Sequence, residues 1–240
     1  MASTERRARS TIRPTALDHV ALWVADRDVL AGFLCEHIGM HEIDRTEKFT
    51  LVGSDARRGK LTLFDAQGPR ERGALARVGL RVADLDRAVA ALPDGLELER
   101  PSPSVVCFDA PEGLKLRLVG APDLEGPDYD LHDVTLCVTD PESSAAAFKT
   151  LGFELDNGGL SIADKYVRLM PYGRPEGERP LLNHLACLVD SVDDVIAAAE
   201  ERGLEIADVV DAANTVAVFV WGPDRIKVEY VEHKPGFSLV

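Results

Sequence analysis

Four times along the chain a run of apolar, strand-like residues closes on an aspartate. Each run gives way to a segment whose apolar positions recur at three- and four-residue steps. The runs begin at His19, Arg77, Asp133 and His184 and end at Asp26, Asp84, Asp140 and Asp190, each placed to cap a following helix. The helical faces read Leu30, Phe33, Leu34; Leu85, Ala88, Val89, Leu92; Ala145, Phe148, Leu151; and Val192, Val195, Ile196, Ala199. Gly39, Gly95, Gly152 and Gly203 stop them, because a residue without Cβ takes the left-handed C-terminal conformation at no steric cost. Alternating stretches follow, ending in strands over Lys60 to Asp65, Leu114 to Val119, Tyr166 to Met170 and Ile226 to Glu232. The closing aspartates lie 50 to 58 residues apart, so the pattern predicts a fourfold β-α-β-β-β repeat.

Pro and Gly cluster at Gly68-Pro69, from Ala121-Pro122 to Gly126-Pro127, and from Gly173 to Pro180. These breaks predict an N-terminal tail at 1–14, a half with modules at 15–68 and 74–121, a linker at 122–129, and a half with modules at 130–173 and 181–233. Residues 234–240 form a C-terminal tail. At 45% hydrophobic residues the chain can fill real cores. Its formal charge of −14 repels phosphate backbones and anionic lipid, which argues against nucleic-acid and membrane partners and favours a neutral or cationic small molecule. Arg6, Arg7 and Arg9 precede no apolar run, and the four cysteines lack paired spacing, so a cytoplasmic, reducing location is expected.

The β-α-β-β-β module resembles the vicinal oxygen chelate superfamily of glyoxalases, bleomycin-resistance proteins, epimerases and extradiol ring-cleaving dioxygenases. The resemblance runs from about Ala16 to His233. It is closest over Asn183-His184-Leu185, Asp190 to Asp194, Gly222-Pro223-Asp224 and Val228-Glu229-Tyr230. It implies an α+β fold of four modules forming two cup-shaped half-barrels. It also implies metal ligands at the start of each first strand and midway along each last strand. The first row is then His19, Arg77, Asp133 and His184; the second is Thr62, Arg117, Arg168 and Glu229.

His19, His184 and Glu229 make a 2-His-1-carboxylate set suited to Fe(II), with Mn(II) or Zn(II) as alternatives. Only modules one and four supply it. Pairing those two leaves Arg77, Arg117, Asp133 and Arg168 to a second cup filled by charge pairing. The consecutive pairing would instead set Asp133, with His132 in reserve, beside His184 and Glu229. It would also put Arg168 next to a cation and leave His19 facing two arginines, so outer-module pairing is favoured, as in a hydroquinone-cleaving subgroup.

Asp18 and Asn183 precede the two histidines and could orient them. Trp23, Phe219, Trp221 and Thr62 are candidate pocket residues. Extradiol enzymes carry a Tyr ten residues before the metal Glu, where this chain has Phe219, and an acid/base His where it has Val210 and, four residues on, Asn214. Three ligands point to an extradiol-type dioxygenase acting on a catechol or hydroquinone-like molecule. A glyoxalase- or epimerase-type metal enzyme and a non-catalytic, bleomycin-resistance-like sequestering protein are the alternatives. Four modules complete two cups within one chain, so either a monomer or a homodimer is compatible.

Overall fold

The computed structural model describes residues 11–57, 59–126, 128–156, 159–172 and 179–239. All four repeats fold as read. The first comprises β1 (Ala16–Val24), α1 (Arg27–Phe33), β2 (His41–Arg45), β3 (Phe49–Gly53) and β4 (Lys60–Asp65). The second comprises β5 (Leu75–Val82), α2 (Leu85–Ala90), β6 (Glu99–Ser102), β7 (Val105–Asp109) and β8 (Lys115–Gly120). The third runs through β9 (Tyr129–Val138), α3 (Pro141–Thr150), β10 (Glu154–Asp156), β11 (Gly159–Ile162) and β12 (Lys165–Pro171). The fourth holds β13 (Leu182–Leu188), α4 (Val192–Arg202), β14 (Ile206–Asp211), β15 (Thr215–Trp221) and β16 (Lys227–His233).

Asp26, Asp84 and Asp140 cap their helices by accepting from first-turn backbone N–H groups. In the fourth module the cap falls one residue later than expected, on Ser191, whose hydroxyl accepts from the Asp194 N–H. All four stop glycines have positive φ.

Strands join into two open eight-stranded sheets that ignore the division of the chain at 122–129. One has the order β14-β15-β16-β13-β1-β4-β3-β2 and so unites modules four and one. The other, β10-β11-β12-β9-β5-β8-β7-β6, unites modules three and two. Each cup therefore takes one module from either side of the linker.

The period of two sorts the side chains. Val20, Leu22 and Val24 are buried in the core against the helices, while His19, Ala21 and Trp23 lie on the opposite, concave face. Likewise Leu61, Leu63, Val228 and Tyr230 enter the core, leaving Lys60, Thr62, Phe64, Lys227 and Glu229 to the cup.

Two related turns tie the sheets together. The turn after β7 places Glu112 to accept from the Ala25 N–H at 2.6 Å, and the turn after β15 places Asp224 to accept from the Thr139 N–H at 2.9 Å. Residues 1–10 of the expected tail lie outside the described residues. Ile12, also assigned to it, is instead buried, with its carbonyl against Gly152, where a Cβ would come within 2.7 Å. Among the described residues no helix is long and apolar enough to cross a membrane.

Because neither chain half contains a complete sheet, a fragment ending at residue 121 should fail to fold alone, its β1 and β5 lacking their partners β13 and β9. Co-expression with the remaining half should restore a soluble complex with native circular dichroism. Two separately folded halves would contradict this pairing.

Candidate metal centre

The centre sits on the seam where β1 and β13 run antiparallel. Here His19 lies opposite Ala186 and His184 opposite Ala21, so each imidazole faces a methyl group rather than a competing side chain. The adjoining β16 places Glu229 beside Ala186. The register also equates the last strands: Thr62 pairs with Ala21 as Glu229 pairs with Ala186. Thr62 is thus the module-one counterpart of Glu229, buried but without a carboxylate.

The three donors converge. His184 Nε2 is 2.9 Å from Glu229 Oε2, His19 Nε2 is 3.3 Å from the same oxygen, and the two Nε2 atoms are 3.3 Å apart. Behind them, His19 Nδ1 donates to Asp18 Oδ2 at 2.9 Å and His184 Nδ1 to Asn183 Oδ1 at 3.1 Å. With each ring proton held at Nδ1, both Nε2 lone pairs face the Glu229 carboxylate. Three acceptors around one point repel each other, and a cation relieves that repulsion. His19, His184 and Glu229 are the only His/Cys/Asp/Glu group of this kind among the described residues, and this donor set fits a divalent metal.

Without a metal, a proton takes part of that role. Burial disfavours the His19 cation, yet hydrogen bonds to Asp18 and Glu229 outweigh it and raise its pKa to about 9. His184, equally deep but backed by a neutral amide, is pushed down from its ordinary value, chiefly by burial. Glu229 is held below the usual carboxylate range: burial would raise it, but both imidazoles outweigh that. Asp18 is likewise brought to about 2 against its burial, by the Lys60 ammonium and His19.

Lys60 escaped the sequence reading. It is 3% exposed and its ammonium donates to Asp18 Oδ1 and to the Ala56 carbonyl, both at 2.9 Å. Its signal was a lysine opening each of the four last strands, at Lys60, Lys115, Lys165 and Lys227. His233, the last residue of β16, has Nε2 3.8 Å from Asp18 Oδ1 and stacks on Phe237.

Phe219 lies against His184 with ring centroids 5.1 Å apart, and Phe64 reaches it at 6.1 Å. Trp23 packs on Phe64, and Trp221 carries the Arg225 guanidinium on its face. Asn214 is not brought to the centre; it binds Ser238 and Lys234 of the C-terminal segment. Tyr230 donates to the Leu151 carbonyl inside the core. Tyr166 lies against His132 in the second cup, and Tyr172 is exposed.

Asp133 and His132 are in that second cup and are not ligands here. Asp133 is fully buried and paired with Arg117, with Arg168 Nε 3.9 Å away. Gly79 makes room for it, since a Cβ there would lie 2.3 Å from Asp133 Oδ2. Arg77, in the position of His19, reaches Cys107 Sγ at 3.7 Å. An internal ion pair thus occupies the place that the metal ligands hold in the first cup.

The family model of the Glyoxalase/Bleomycin resistance protein/Dioxygenase superfamily matches residues 16–101. The match runs from β1 into β6, across the whole of module one and the first part of module two. Curated protein sequences yield no match. A "putative dioxygenase" from Bacillus subtilis subsp. subtilis str. 168 superposes with a TM-score of 0.74 at 17% identity, covering 94% of this chain and 87% of that one. Glyoxalase I from Zea mays gives 0.69 at 20% identity, over 90% of this chain and 92% of that one. The cppA protein from Streptococcus pneumoniae TIGR4 gives 0.64 at 16% identity, over 92% and 99%. At these identities the likeness establishes the fold alone, which is glyoxalase-like over the matched nine-tenths of the chain.

The folded pKa of His19, about 9, exceeds its ordinary 6.5, so the metal-free fold gains this stabilisation in full below pH 6.5 and loses it as pH rises through 9. Metal uptake runs the opposite way. The ion displaces the His19 proton, so affinity should climb by about tenfold per pH unit until pH 9, with about one proton released per metal in a pH-stat titration. Affinity that stays flat with pH would show that His19 carries no proton to displace. Asp133→Ala should cost about 3 kcal/mol in denaturant unfolding by stranding the Arg117 charge, while leaving metal stoichiometry unchanged. Loss of metal in that variant would return Asp133 to the ligand set.

Proposed function

We propose that the chain is a metal-dependent enzyme whose first cup chelates a small molecule through two neighbouring oxygens, and that it is an extradiol-type ring-cleaving dioxygenase acting on a catechol or hydroquinone-like substrate. The observation that carries this reading is the convergence of two imidazoles and one carboxylate on one point, with Thr62 in the position where a fourth acidic ligand would sit. Three protein ligands leave adjacent positions for a bidentate diol and a further small reactant. Fe(II) suits that donor set, and a bound divalent ion would lower the pKa of the diol hydroxyls and stabilise the resulting anion.

The protein's own residues supply position and environment. Asp18 and Asn183 hold the two imidazoles in the tautomer that turns Nε2 inward. Phe219 and Phe64 flank His184 and give an aromatic ring a surface against which to lie edge-on or offset. Lys60 is committed to Asp18, which keeps that carboxylate ionised and facing His19. In ring cleavage by dioxygen the carbon–carbon bond beside an oxygenated carbon breaks and both oxygen atoms enter the product, so no external reductant is consumed.

The test is metal content by mass spectrometry on untagged protein purified anaerobically, followed by oxygen uptake with catechols and hydroquinones. About one iron or manganese per chain is expected, lost in His19→Ala, His184→Ala and Glu229→Ala, with stoichiometric oxygen consumption by the wild type. Asp18→Ala and Asn183→Ala should retain the metal at roughly 10- to 100-fold weaker affinity. Zinc or nickel without oxygen uptake would turn the assignment to isomerase or lyase chemistry. Absence of metal after reconstitution would leave a sequestering protein.

A further inference from the structure

The internal repeat supplies its own control for one residue of the cup. In module one, Lys60 pairs with His19 across the parallel β1–β4 register. In module four, Leu185 pairs with Val228, so one step back along both strands Lys227 stands beside His184 in the same relation. Two buried-face lysines thus flank the two histidines. Their electrostatic situations differ because the residue before each histidine differs: Asp18 in one module, Asn183 in the other.

Lys60 is neutralised by Asp18, with Nζ 2.9 Å from its carboxylate. Lys227 has no such partner: among the described residues no carboxylate lies within ion-pair distance of it. Its ammonium instead rests 5.5 Å from the ring centroids of both Phe219 and Trp221. Aromatic faces hold a cation in place without cancelling its charge. Phe219 is the same ring that lies against His184. Lys227 also precedes Glu229 by two residues on one strand, which puts both on the cup face.

The surroundings are otherwise committed. Lys227 and Asn183 also line a cavity of about 180 Å³ at the starts of β13 and β16, with Gly73, Pro180, Asp224 and Arg225; His19, His184 and Glu229 do not line it. Asp224 accepts from the Thr139 N–H and hydroxyl, and Arg225 is paired with Glu205 at 2.7 Å. The Asn183 carbonyl oxygen is taken by His184, leaving its amide donors. What remains for an incoming molecule is an ammonium without an ion-pair partner and one amide, joined to the chelating centre by the strand register beside His184 and by the shared Phe219 ring.

Resting on the chelating-enzyme reading above, we propose that Lys227 is a specificity-determining residue that receives a carboxylate, or a comparable anionic substituent, on the diol substrate. The substrate class is then an acidic aromatic diol rather than a neutral or cationic one.

Cobalt-substituted protein gives a readout independent of turnover, since ligand chelation perturbs its visible absorption. Catechol, 2,3-dihydroxybenzoate and 3,4-dihydroxybenzoate would be titrated into the wild type, Lys227→Met and Lys227→Arg. The wild type should bind at least one of the two carboxylated diols about tenfold or more tightly than catechol, the gain expected of a charge-assisted contact. That ratio should fall to about one in Lys227→Met and persist in Lys227→Arg. A wild-type ratio near one for both acids, or a preference that survives Lys227→Met, would overturn the assignment while leaving the chelating site intact. Bound cobalt whose spectrum none of the three diols perturbs would instead sink the chelating-enzyme reading, and this inference with it.

Discussion

The antiparallel register between β1 and β13 governs the rest of the molecule. It sets His19 against Ala186 and His184 against Ala21, and only with small residues at those opposed positions can two imidazoles lean toward a common point. A slip of β13 by one residue would turn His184 into the helix-packed core and bring Leu185 into the cup, away from His19. The parallel strands on either side inherit this register, so Glu229 and Thr62 fall at related heights, and so do Lys60 and Lys227. Burial of Val20, Leu22, Leu61, Leu63, Val228 and Tyr230 on the other face keeps the strands from slipping, and the metal centre draws its rigidity from that apolar layer.

The second sheet repeats the same seam with different contents. Arg77 stands opposite Thr135 and Gly79 opposite Asp133, in the registers occupied by His19 with Ala186 and by Ala21 with His184. A buried aspartate at this height needs a cation, and Arg117 provides it across the gap that Gly79 leaves. The pairing satisfies each charge with the other and removes the geometry that a metal would require. His132 accordingly feels a positive field: burial, Arg117, Arg81 and Arg168 together push its pKa down despite Asp133. A module duplicated within one chain can thus keep its fold while one copy of the site is converted to an internal ion pair.

Much of this is legible in the sequence because the repeat acts as an alignment of the chain with itself. Strand starts, helical faces and stop glycines recur at fixed intervals, and they set His19 and His184 in one row and Glu229 in the other before any coordinates are known. Outer-module pairing also followed from electrostatics, since Arg168 would have been intolerable beside a metal and His19 would have been stranded among arginines. Other features depend on contacts between distant strands that periodicity does not encode. The buried Lys60 clamp on Asp18, the approach of His233 and the displacement of the fourth helix cap to Ser191 belong to that group. Composition marks where the chain turns at the Pro/Gly-rich linker, whereas sheet pairing decides which modules share a core.

Net charge describes the field at a distance and not the charge inside the cup. A formal −14 suggests a site for neutral or cationic molecules, and that holds for the field at a distance, where surface carboxylates dominate and salt screens them within about 10 Å. Inside the cup the count is local. Asp18 is cancelled by Lys60 and Glu229 is directed at the metal position, while the neutral Asn183 leaves Lys227 uncompensated. A single change between related modules, aspartate in one and asparagine in the other, therefore does two things. It lets His19 hold a proton that His184 sheds, and it leaves one of two equivalently placed lysines resting on aromatic rings instead of on a carboxylate. The asymmetry of the backing residues, more than the ligands themselves, thus sets the local charge of the cup.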